Sequence, residues 1–88
     1  MAVWGQDTQQ VRQLSAQLNQ GANEIQSILG SLTSALNGTE WLGPDATAFR
    51  NEWSGTHSAS LRNVIQALHD ASQKAAFNAT QQENASNS

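Results

Sequence analysis

The chain has 88 residues, a net charge of −3 and no cysteine, so it is capped at one domain and lacks both a disulfide framework and a thiolate metal site. Only four Lys and Arg are present (Arg12, Arg50, Arg62 and Lys74), scattered along the chain, which excludes the clustered basic footprint of a nucleic-acid binder. Leu, Ile, Val and Phe number only 16, and so thin a supply of core makes burial of a face against a partner the natural source of stability.

Residues 1–6 read as a short leader that includes Trp4. It has no basic region followed by an apolar run, so no cleavable secretory signal peptide is expected. Asp7 is placed to cap a helix, accepting from the free amides of its first turn. Val11, Leu14, Leu18, Gly21, Ile25, Ile28, Leu32 and Ala35 then follow at alternating steps of three and four, the period of a helix packed along its length. Ala22, Leu29 and Leu36 sit one residue on and widen the stripe to that of a bundle helix. Gly21, inside the stripe, would let another helix approach closely.

Asn37-Gly38 should end this helix, with the glycine in the left-handed conformation. The segment from Gly38 to Gly43 cannot continue it. Pro44 suits the first position of a second helix, and Asp45 beside it favours the positive end of the dipole. Ala46, Phe49, Trp53, His57, Leu61, Val64, Ile65, Leu68, Ala71 and Ala75 follow at steps near three and four. The expected layout is a single domain: helix 7–37, turn 38–43, helix 44–78 and a flexible tail 79–88. No apolar run approaches the ~18 residues that would span a bilayer.

At 1.5 Å per residue the two helices are about 45 and 50 Å long, and a connection of about six residues makes them antiparallel neighbours. The fold expected is therefore all-α, an antiparallel two-helix hairpin. Such a hairpin has one internal seam, but each stripe is wider than one seam covers. Dimerisation into a four-helix bundle would bury the excess. The residues expected in the core and dimer interface are Leu14, Leu18, Ile25, Ile28 and Leu32 from the first helix, with Phe49, Trp53, Leu61, Ile65 and Leu68 from the second.

Nothing in the chain asks for a cofactor or a metal. His57 and His69 lie twelve residues apart on one helix, about 18 Å by helical rise, and cannot share an ion. His57 reads as a half-buried bundle residue and His69 as a surface one. The carboxylates do not pair at ligand or acid–base spacing, Glu-x-x-His is absent, and no phosphate loop or nucleophile elbow is present. A non-enzyme is expected.

Three tryptophans are many for this length. Trp53 falls on the second stripe and reads as core. Trp41 stands in the turn beside Leu42, where two readings are open. It plugs the end of the bundle, or it docks a partner, as exposed aromatics do at binding hot spots.

Trp41-Leu42-Gly43, mid-chain between two amphipathic helices, resembles the signature of the WXG-100 family, the small substrates of ESX (type VII) secretion. The longer run Pro44-Asp45-Ala46-Thr47-Ala48-Phe49-Arg50-Asn51-Glu52-Trp53 is similar to its actinobacterial members. The resemblance implies a helical hairpin in a four-helix bundle with a sister WXG-type hairpin, a heterodimer being preferred to a homodimer. It also implies secretion to the extracellular space without a cleavable signal, as a folded dimer, by a membrane machine with an FtsK/SpoIIIE-type ATPase. Contact with the membrane would be through that machine alone. The family's turn works together with a Tyr-x-x-x-Asp/Glu signal after the second helix. Here Phe77 and Gln81 stand in those places as a degenerate signal, so the partner is expected to carry the intact one. The alternative function is a membrane-active amphipathic effector, against which the low basic content counts. A structural adaptor with no secretion role is a third reading.

Overall fold

The computed structural model describes residues 7–87. The leader with Trp4, and Ser88 at the other end, lie outside the described residues. Helix α1 spans Thr8–Gly38, α2 spans Pro44–Glu52, a π turn occupies Trp53–His57, and α3 spans Ser58–Asn87. The fold is all-helical, and two long arms pack against each other as a rod of 66 × 17 × 15 Å.

The start of α1 is set by Asp7, whose carboxylate accepts from the amides of Gln9 and Gln10 at 3.0 and 3.2 Å. Its end is not made by a left-handed Gly38. Gly43 is the positive-φ residue among those described. The helix instead stops because Thr39 turns extended while its amide returns to the Leu36 carbonyl and its hydroxyl to that of Ala35. Pro44 opens α2 as expected, and Asp45 lies in its first turn.

Two expectations for the second arm need correction. First, it is not one regular α-helix. On its inner side Ala46 and Trp53 are seven apart, as are Leu61, Leu68 and Ala75, but Trp53 and Leu61 are eight apart. An α-helix that keeps one seam facing its neighbour needs steps of seven. The π turn absorbs the extra residue. Ala46 is thereby brought fully into the seam and Trp53 onto the core.

Second, the arm does not stop packing near Asn78, and from 79 to 87 the chain is helix and not a loose tail. Helix α3 continues to Asn87, Ala79 is completely buried, and Arg12 of α1 binds Thr80 and Glu83. Polar composition hid this, because a two-helix seam can be closed by small residues and an ion pair.

The seam itself is built from heptad rows of mostly small side chains. Ser15, Ala22 and Leu29 on α1 face Ser58, Ile65, Ser72 and Ala79 on α3, all buried. Ser15 and Ser72 form a reciprocal clasp: each hydroxyl donates to the other residue's carbonyl, at 2.7 and 2.8 Å. Both buried hydroxyls are thus satisfied without a large side chain. The clasp, Asn19 with His69, and Trp53 Nε1 to Thr33 Oγ1 at 2.9 Å set one antiparallel register along the rod.

The seam uses only one flank of each apolar stripe. Ile25, Trp53, Leu61 and Leu68 pack partly against the Ala22–Leu29–Ile65 core, and Leu18 is half-buried. Leu14, Ile28, Leu32 and Phe49 stay exposed. Gly21 gives no close approach, since a Cβ there would meet nothing within 4 Å. It lies on the uncovered flank.

Candidate functional site

The uncovered flanks lie on one side of the hairpin. Leu14, Gly21, Ile28 and Ala35 repeat every seven residues along α1, and Val64 and Ala71 do so along α3. In each arm these rows border the seam on the side away from the polar residues. Leu32, Ala35, Leu36, Phe49 and Trp53 together line a cleft of about 250 Å³ near the turn, which joins the two rows. Ile28 is 57% exposed at the middle of this face. The opposite side is polar, with Gln26, Arg62, Gln66 and His69 around a second groove.

The π turn decides whether Phe49 belongs to the apolar face. In a regular α-helix it would drift out of line with Val64. The extra residue returns it to the row. His57, read from the sequence as half-buried, is exposed beside the Trp53 ring, with ring centroids 6.4 Å apart. His69, read as a surface residue, is partly covered, because its Nδ1 lies 2.7 Å from the Asn19 side chain across the seam.

At one end of the rod is the turn. Gly43 has φ +113°, a conformation that L side chains rarely adopt, and this lets the chain reverse just before Pro44. Its carbonyl receives both the amide and the hydroxyl of Thr47, which closes the first turn of α2. Trp41 is 38% exposed, its ring tilted against Phe49 with centroids 5.4 Å apart. Both readings of Trp41 have a geometric footing: one side of the ring is covered by the bundle end and the rest faces outward. Leu42 is 92% exposed, the most exposed large apolar side chain described.

Arg50 is the residue that sequence reasoning missed. Its guanidinium donates to the carbonyls of Trp41 (2.8 Å), Thr39 (3.0 Å) and Leu36 (3.5 Å). The available signal was its place on the inner side of the second arm, eight residues before Ser58, where a charge needs a partner. Ser15, Ser58, Ser72 and Ala79 were missed as seam residues because an apolar pattern does not count them.

Phe77 and Gln81 are exposed and belong to packed α3. The structure does not bring them near Trp41. They lie at the opposite end of the rod. Among the described residues no group of three His, Asp or Glu could hold a metal ion, and no helix is long and apolar enough to cross a membrane. No family model, no curated protein and no solved structure matches this chain.

Proposed function

We propose that this chain is a non-catalytic binding protein of the type VII (ESX) secretion kind, paired with a sister hairpin and exported folded through an FtsK/SpoIIIE-type ATPase. The observation that carries the reading is the combination of one uncovered apolar face along the rod with an outward turn, Trp41-Leu42-Gly43, at its end. A face of leucine, isoleucine, valine and phenylalanine on one side only is what a second two-helix layer covers in a four-helix bundle. The chain exposes 6517 Å², against about 5000 Å² for an ordinary monomer of its mass. The thin rod therefore has surface to spare for the roughly 800 Å² that each partner contributes to a standard interface.

A sister hairpin fits better than a second copy for a chemical reason. The tail signal of the resembled family has a hydroxyl and a carboxylate, and Phe77 and Gln81 supply neither. A recognition pocket built for them would be left with unpaired polar groups. A partner with the intact signal exports both chains. The test is secretion from the native host with the sister gene deleted. Export of this chain should stop. Undiminished export would remove the heterodimer argument. Normal export of Trp41→Ala with the sister present would remove the docking role of the turn, and retention of the native pair inside the cell would remove the secretion reading itself.

A further inference from the structure

We infer that Arg50 is the positioning residue that holds the Trp41-Leu42-Gly43 turn in its outward shape, an inference that rests on the docking role proposed for that turn. Three observations converge on it. The last turn of α1 contains no basic residue, so its carbonyls lack a cation from their own helix. Arg50 supplies one from α2, and the three carbonyls it meets, at positions 36, 39 and 41, follow the chain out of the helix and into the turn. The ion pair found among the described residues is that of Arg12 with Glu83, so the charge of Arg50 is spent on carbonyl oxygens rather than on a carboxylate.

The geometry explains why the residue is arginine. A planar fork reaches two carbonyls from one nitrogen and a third from the other, which a lysine ammonium cannot do at these separations. Phe49, the preceding residue, supports the Trp41 ring while Arg50 ties the Trp41 carbonyl. Side chain and backbone of Trp41 are thus held by consecutive residues of α2. Gly43 provides the reversal, and Leu42 is left with nothing covering it.

The test separates positioning from folding and from secretion. In the purified assembly, amide exchange and nuclear Overhauser contacts would be compared for the native chain, Arg50→Met and Arg50→Lys. Arg50→Met should lose the Trp41–Phe49 contact and speed exchange at 39–43 by tenfold or more. Amides at Leu29, Ile65 and Ser72 should keep their native rates. Arg50→Lys should not restore the turn. A turn that stays ordered in either variant, or seam amides that accelerate equally, overturns the inference. In the host, Arg50→Met should be exported as poorly as Trp41→Ala. If Trp41→Ala is blocked while Arg50→Met is exported normally, the Arg50 inference fails alone. If both are exported, the docking role of the turn fails as well.

Discussion

At the scale of single residues, Gly43 is the position with least freedom to change. Its φ of +113° would put a β-branched side chain in a region that sterics forbid. Gly43→Val should therefore cost about 1–3 kcal/mol, through strain and not through a clash, since nothing stands within 4 Å of a built Cβ. Thermal unfolding would measure it, and Gly43→Ala, strained but not β-branched, should cost less. An unchanged melting temperature for the valine variant would show that the turn has another conformation at hand. Trp41→Ala should leave the helical content and cooperativity of unfolding intact, because the ring packs on Phe49 and not in the seam. Loss of the fold in that variant would make Trp41 a plug for the bundle end. A turn before Pro44 was readable from residue types alone, although the positive-φ glycine was expected at Gly38 and is Gly43. Arg50 was not readable, because its partners are backbone carbonyls that carry no mark in the sequence.

Among the elements, the π turn of Trp53–His57 makes the sharpest prediction. It exists because the inner rows step by eight there and by seven elsewhere. Deleting Gly55 should turn the arm into a regular α-helix while keeping Ala46, Phe49 and Trp53 in register with Leu61 and Val64. Removal of an exposed mid-arm glycine also relieves a helix-propensity cost of about 1 kcal/mol. The variant should be as stable as the native chain or more so by thermal unfolding. Deleting Asn63, which sits among steps of seven, should instead rotate Ala46 and Trp53 out of the seam and lower the melting temperature. Equal destabilisation by the two deletions would refute this account of the turn. The step of eight stands in the sequence as two steps of four, Trp53 to His57 to Leu61, which a stripe read at steps of three and four accepts like any other.

For the whole molecule, Ile28 and Leu29 are adjacent in sequence and opposite in role. Leu29 is buried within the hairpin and Ile28 is open on the apolar face. Leu29→Ala should destabilise by about 2–5 kcal/mol at any protein concentration. Ile28→Ala should have little effect on a lone hairpin. In an assembled bundle it should cost about as much as a core deletion, so its effect should grow with concentration or with added partner. Unfolding curves across a hundredfold range of concentration, with mass from light scattering, would measure both. A native chain that stays monomeric and cooperatively folded at micromolar concentration, alone and with the sister hairpin added, would remove the proposed partner face.

The sequence by itself determined two long helices, the cap at Asp7, the reversal before Pro44 and an apolar stripe too wide for one seam. These follow from local propensity and periodicity, which act within a few residues. Only the tertiary structure decided which flank of the stripe closes the hairpin. Leu14, Ile28 and Leu32 are as apolar as Leu29 and Ile65, but the arms approach along Ser15, Ala22, Ser58, Ser72 and Ala79, where small side chains let the backbones come close. It likewise decided that α3 stays packed past Asn78, because Ala79 and the Arg12–Glu83 pair gain their partners from residues nearly a chain length away. Such choices depend on which small and polar groups meet across the seam, and that meeting depends on the register of two helices joined by one turn.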